Sequence, residues 1–303
     1  METALRLQPG AGWLKQAAEK GPIMPPPNPP VPQIFDRALL RRRLARADRA
    51  GAATFLLERV AEEMAERLHA ILRDFPEAAD LGTPTGILQS QLKERLAHLD
   101  RVAIPDDEHL VLEPETRDLV VSALALQFVN DLPGVLAQIR AALKPDGLLM
   151  AALIGGETLT ELRQAFAAAE TELEGGMSPH VAPLPDLRDI GALLQRARFA
   201  LPVADLDRVV VRYDNAFALM HDLRRMGATN ALRERRRAPL RRATIMRMAD
   251  IYAENFSDPD GRIRATFDIL WIAGWKPHPS QQQPLKPGSA RARLEDAIKG
   301  REK

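Results

Sequence analysis

The chain has 303 residues, 46% of them hydrophobic, enough for one large domain with a substantial core, and its 42 basic and 41 acidic residues leave no global field to draw it to nucleic acid or an anionic membrane. Cysteine is absent, which excludes a disulfide framework, thiolate catalysis and Cys-ligated metal sites, and fits a reducing compartment. No apolar run approaches the roughly 20 residues of a membrane span, and the first residues, METALRLQPGAGWLKQAAEKG, lack an apolar h-region, so a soluble cytoplasmic protein without a secretory leader is expected.

Residues 1–33 are expected to be a flexible, proline-rich segment, because GPIMPPPNPPVP at 21–32 favours an extended polyproline-type tether. A folded domain is expected over 34–282. FDRALLRRRLARADR reads as a helix with Leu40, Leu44 and Ala47 on one face and arginines on the others. Leu57, Val60, Ala61, Met64 and Leu68 recur at helical spacing in a second helix, which Phe75-Pro76 breaks. A short strand at 77–81 leads through a turn from Gly82 to Gly86 into a helix, ILQSQLKERLAHL.

RDLVVSALALQFV is a continuous β-prone apolar run, the mark of a strand buried on both faces. The helix DLPGVLAQIRAALKPDG follows, closed by Pro145 and Gly147, and then a second buried strand, LLMAALIGG. Strand, helix and strand in that order predict an α/β fold with a doubly wound, mostly parallel sheet. Helices at 157–174 and 186–197, strands at 201–205 and 207–213, a largely helical stretch at 214–256 and a last strand, IRATFDILWIAGW, complete it. Residues 283–303 read as a polar, loose tail.

Several phrases, in this order, carry a resemblance: Ile34-Phe35-Asp36-Arg37, DLVVSALALQFVNDLPGVLAQIRAALKPDG, GGETLTELR, EGGMSPHVAP, GALLQRARF, MHDLRRMGATN and GWKPHPSQ. Over nearly all of 34–282 the chain resembles the class I S-adenosylmethionine-dependent methyltransferases. Within them it is similar to the group containing the mitochondrial complex I assembly factor 5, an arginine hydroxylase, and the bacterial malonyl-carrier-protein methyltransferase of biotin synthesis. The resemblance implies a Rossmann-like, seven-stranded sheet with an antiparallel last strand, and an inserted helical cap at about 214–256. It implies S-adenosylmethionine as cofactor and a protein substrate, a complex I subunit, as partner, with no nucleic acid and no membrane span.

It also places a cofactor site. Asp80, Gly82 and Gly86 stand where the family has the acid and the first and last glycines of its turn, with Thr83 beside them and Pro84 in place of the middle glycine. Proline fixes φ and removes an N–H, so Pro84 cannot adopt a positive φ there. The loop also reads as an ordinary tight strand–helix turn. Asp106 and Asp107 resemble the loop that contacts adenine, and Ser122 and Ala123 fall at the end of the next strand. Only about fourteen residues, Ile87 to Asp100, stand where the family has a further strand ending in an acid for the ribose hydroxyls. Asp100 is the nearby substitute, or else a surface acid, and LDRVAI reads as a vestigial strand.

On the substrate side, Glu157, His180, His221 and His278 lie in family-like phrases. Glu157 reads equally as a helix N-terminal acid, and each histidine as a surface or hydrogen-bonding residue. No H-E-x-x-H or H-x-D pattern occurs among the six histidines, and no metal site is expected. Methyl transfer requires positioning more than acid–base chemistry, so no catalytic residue is assigned. Nine arginines against one glutamate at 224–247 suit an acidic protein partner, RNA or a solvated helical face; no interleaved aromatic platform supports RNA. Three functions remain open: a modifying enzyme in complex I assembly, a non-catalytic assembly factor with a degenerate pocket, and a carrier-protein carboxyl methyltransferase.

Overall fold

A computed structural model describes residues 32–282. The expected tether and polar tail lie outside the described residues, apart from the last two residues of the segment 1–33. Two helices, α1 (Arg37–Arg49) and α2 (Phe55–His69), precede the first strand, β1 (Ala78–Leu81). There follow α3 (Ile87–Gln91), β2 (Leu99–Val102), β3 (Arg117–Ala123), α4 (Leu132–Ala142) and β4 (Leu143–Gly155). The second half holds α5 (Thr160–Glu174), α6 (Leu187–Arg196), β5 (Ala200–Tyr213), α7 (Ala216–Arg225), α8 (Arg242–Phe256) and β6 (Ile263–Trp275).

The six strands form one sheet in the order β2-β1-β3-β4-β6-β5. The first four run parallel, and β6 is antiparallel to both neighbours, β4 and β5. Alternate residues of the apolar runs face opposite layers, as a strand period of two requires. Leu119, Val121, Met150, Ala152, Ile269 and Trp271 pack with α2, α5 and α8. Val120, Leu149, Ala151, Leu153, Leu270 and Ile272 pack with α4 and α6. The doubly wound arrangement read from the alternation of elements is therefore present.

The sheet has six strands among the described residues where the resemblance implies seven. The vestigial strand expected over LDRVAI is present as β2, directly against β1 with Asp80 opposite Arg101 and Leu81 opposite Val102, and no further strand occurs between β2 and β3. The helix expected over ILQSQLKERLAHL stops at Gln91. Arg95 accounts for the turn that follows: its guanidinium donates to the carbonyls of Leu68 (3.3 Å), Ile71 (2.9 Å) and Arg73, closing the C-terminus of α2. The strands expected at 201–205 and 207–213 are one, paired with β6 in unbroken register from Val203 to Tyr213. Within 214–256 only α7 and α8 are helical. Met248, Ile251 and Tyr252 of α8 are buried in the same layer as α2 and α5.

Candidate functional site

Ligands of open α/β sheets bind beyond the carboxyl ends of the strands, where the crossovers diverge. Two cavities meet there. A cleft of about 560 Å³ lies over the end of β1, walled by Asp80, the loop Gly82–Gly86, Arg101, Ile104 and Asp106, and roofed by Arg37, Leu40, Arg41 and Leu44 of α1. A second chamber, of about 540 Å³, lies toward α5 and α7, with Leu57, Leu162, Phe166, Phe217, Met220 and Leu223 on its walls and His180, His221, Asn230 and Arg224 among its polar residues. Leu44, Pro84, Thr85, Leu124 and Phe128 line both, so the cavities share one wall.

The loop between β1 and α3 is fixed from below. Gly82 adopts φ +74° and donates its N–H to Val102 O (2.8 Å). A Cβ there would stand 2.7 Å from Ile104 Cδ1, so this position needs glycine on both counts. Thr83 is buried, and its Oγ1 accepts the N–H of Ala123 (3.0 Å). Ser122 Oγ donates to Leu81 O (2.7 Å). Ser122 and Ala123 thus brace the loop and do not line the cleft. The positive φ falls on Gly82, not on Pro84, so the proline is accommodated without strain.

Asp80 is 1% exposed, and neither carboxylate oxygen completes a hydrogen bond. Burial pushes its pKa up to about 6, against the nearby Thr83 and the Arg101 guanidinium. Asp106 lines the cleft, 2.8 Å from Arg41 Nη1 in an exposed pair. Asp107 is exposed and accepts the N–H of His109 instead. Asp100 is turned away: it accepts from Arg117 Nη1 (2.5 Å) and His98 Nε2 (2.6 Å), and the hydrogen bond from Arg117 is the main reason its pKa lies below the usual range.

Two anchors escaped the sequence reading. Glu108 is buried and accepts the N–H groups of Asn130 and Asp131, each at 2.7 Å, so the acidic loop is tied to the start of α4. Arg37 donates to Phe128 O (3.1 Å) and Ile104 O (3.0 Å), which clamps α1 across the mouth of the cleft. The Phe35-Asp36-Arg37 phrase was the available signal, but nothing in its spacing says that the arginine reaches two carbonyls more than sixty residues away.

His180 and His221 both line the chamber, whereas Glu157 and His278 do not. Glu157 is exposed and contributes its backbone N–H to Asp268 Oδ2 (2.9 Å); its neighbours Thr158 and Leu159 reach the chamber. His278 is exposed, pairs with Ser280 (2.6 Å), and lies near Asp146 at the opposite, amino end of β4. Leu124 (φ +52°) and Leu159 (φ +54°) line the chamber in left-handed conformations, each costing on the order of 1–2 kcal/mol for a bulky residue. No group of three or more His, Asp and Glu side chains suited to a metal ion occurs among the described residues.

Residues 80–151 match the family model of the methyltransferase domain. The chain is 38% identical to "Arginine-hydroxylase NDUFAF5, mitochondrial" of Rattus norvegicus, covering 95% of this chain and 92% of that one. The Homo sapiens protein of the same name is 40% identical over 87% of this chain and 83% of its own. The "Malonyl-[acyl-carrier protein] O-methyltransferase" of Xylella fastidiosa (strain M23) is 31% identical, covering 80% of this chain and 89% of that one.

Proposed function

The chain belongs to the family of the arginine hydroxylase NDUFAF5, which has a methyltransferase fold, and from that premise we propose that it modifies an arginine side chain of a protein during assembly of respiratory complex I. The cleft over β1 is the cofactor site in this reading, the chamber is the substrate site, and the protein works in the cytoplasm. The observation that carries the reading is that Leu44, Pro84, Thr85, Leu124 and Phe128 border both cavities, which sets a ligand in one directly beside a ligand in the other.

The residues of the cleft fit S-adenosylmethionine at its charged end. A buried carboxylate with two unpartnered oxygens, Asp80, suits the cationic methionyl portion. At the adenine end, Asp106 can exchange Arg41 for an amino donor, since an exposed ion pair holds it by about 1 kcal/mol or less. When bound, S-adenosylmethionine supplies a sulfonium-activated methyl group. The protein's own part is to seat the ligand against the Gly82–Gly86 loop, exclude water with α1 and the apolar chamber wall, and hold the substrate side chain across the shared wall. Ser122 and Ala123 support that seat indirectly through Leu81 and Thr83.

Co-expression with a complex I subunit, followed by intact-mass measurement, tests the reading. Gain of a methyl group on an arginine, in exchange for a nitrogen-bound proton, is the result expected if S-adenosylmethionine is the donor. Gain of one oxygen marks hydroxylation, which takes its oxygen and oxidising power from a separate oxidant such as dioxygen. No change in mass overturns the reading. A second reading, carboxyl methylation of an acyl carrier, is favoured by Arg224, an exposed cation lining the chamber that makes no ion pair among the described residues. It predicts that the gene restores growth without biotin to a strain lacking that methyltransferase. A purely structural assembly role is the outcome if neither activity is found while the protein still associates with complex I.

A further inference from the structure

We infer that His180 and Gln127 form the recognition site for a guanidinium inside the chamber, each presenting a bare hydrogen-bond acceptor. This inference deepens the substrate side of the function proposed above and rests on it.

His180 is held by a small polar cluster whose hydrogens can be assigned. Glu170 is 1% exposed and accepts the N–H of Ser178 (2.6 Å) and the hydroxyl of Ser178 (2.6 Å). His180 Nε2 lies 2.9 Å from Glu170 Oε1 and 3.2 Å from Ser178 Oγ. The hydroxyl hydrogen is already given to Glu170, so both neighbours of Nε2 are acceptors and Nε2 carries the hydrogen. A neutral imidazole has one N–H, which leaves the lone pair at Nδ1. Nδ1 has no partner among the described residues and is not sealed from solvent, and the ring lines the chamber. Phe166 stacks on the ring at 4.0 Å and 16°, which fixes its plane. Burial would raise the Glu170 pKa, but the Ser178 and His180 hydrogen bonds outweigh it and keep the carboxylate ionised.

Gln127 supplies the second acceptor. It is 8% exposed and lines the same chamber, and its Nε2 donates to Leu124 O (2.7 Å). That bond assigns Oε1 as the remaining atom, and Oε1 is buried without a partner. Thr158 and Asn230, which also line the chamber, have their side-chain oxygens spent. Thr158 Oγ1 donates to Gly155 O and accepts from Asp268 N–H. Asn230 donates to Pro179 O and accepts from Leu232 N–H.

A buried acceptor left bare costs free energy, and a ligand bringing donors removes that cost. Guanidinium has five N–H donors and no acceptor, and its methylene stem suits walls of Leu162, Phe217 and Met220. A carboxylate would meet two lone pairs and gain nothing from either.

The test titrates N-acetyl-arginine methylamide, with the glutamate derivative as control, into the purified full-length chain labelled with nitrogen-15 in histidine. At about pH 8.5, above the ordinary imidazole range, His180 is expected as the Nε2–H tautomer, with its Nδ1 resonance moved by the arginine compound and not by the glutamate compound. His180→Asn, which keeps an acceptor near the Nδ1 position, should stay within about threefold of the parent affinity, while His180→Gln and Gln127→Leu each lose about tenfold. Gln127→Glu should bind the arginine compound about tenfold more tightly. An unmoved Nδ1, or preference for the glutamate compound, overturns the proposal. The cofactor reading is judged apart, by S-adenosylhomocysteine affinity in the parent chain, which neither acceptor touches.

Discussion

Arg101 and Asp80 are register partners on adjacent parallel strands, yet Arg101 Nε stops 3.9 Å from Asp80 Oδ2 and the guanidinium donates instead to Thr83 O, at 3.0 Å. The buried acid is left with a nearby cation but no hydrogen bond, and its pKa stands at about 6. An unfolded aspartate titrates near 3.9. Between those values the folded chain holds a proton that the unfolded chain has released, so stability falls as pH rises through that window, by roughly 3 kcal/mol in all. Asp80→Asn removes this slope. It should be about 2 kcal/mol more stable than the parent at pH 7.5 and equal to it near pH 4, as urea titrations at the two pH values will show.

The same carboxylate gives ligand binding a pH dependence of opposite sense. A cationic ligand selects the ionised acid, so a proton must leave before it binds below about pH 6. Calorimetry with S-adenosylmethionine should show affinity falling about tenfold from pH 7 to pH 5. In Asp80→Asn the profile should be flat and the affinity at pH 7 at least about tenfold weaker.

The two turn glycines make unequal demands. Gly82→Ala places a Cβ 2.7 Å from Ile104 at φ +74°, and should cost about 1–3 kcal/mol with loss of the cleft's shape. Gly86 has φ −77°, and a Cβ there meets Gln89 Oε1 at an ordinary 3.5 Å. Gly86→Ala should be neutral or up to about 1 kcal/mol stabilising, through the entropy of the unfolded chain. Thermal melts of the two variants separate the positions.

The sequence was legible where a residue's environment is set by its near neighbours. The apolar runs 118–129 and 148–156 announced buried parallel strands because both faces of β3 and β4 are covered, and the ordered phrases announced the family. The turn glycines could be placed, but not ranked, since what singles out Gly82 is its φ of +74° together with Ile104 packed under it. Contacts between distant segments were silent. The Arg37 clamp and the Glu108 anchor join residues across the cleft. Gln127 carried no motif at all and is visible only as a buried oxygen without a donor. His180 was legible as a candidate, but its partner Glu170, on the buried face of α5 with Leu162, Phe166 and Ala169, carried no motif that tied it to the histidine.

Asp268 interrupts the apolar run of β6, and its neighbours say why a charge is tolerated at 1% exposure. Arg208 donates through Nε at 2.7 Å and Nη2 at 2.9 Å, and the backbone N–H of Glu157 at 2.9 Å. Burial pushes the carboxyl pKa up, but Arg208 and the Glu157 N–H outweigh it and hold it below the usual aspartate range. A depressed folded pKa gives stability that is complete above about pH 4 and is lost as pH falls through the folded value. Removing one partner of a buried pair costs about 3–5 kcal/mol, but Arg208 is half exposed and its freed charge stays hydrated. Asp268→Asn should therefore lose roughly 2 kcal/mol at pH 7, and the loss should vanish below the folded pKa. Arg208→Lys, which cannot make the two-pronged contact, should lose about half as much. Because Asp268 also fixes the turn that carries Thr158 and Leu159 into the chamber, Asp268→Asn should weaken binding of an arginine compound while leaving S-adenosylhomocysteine affinity unchanged. Equal loss of both ligands would show that the turn does not act on the chamber alone.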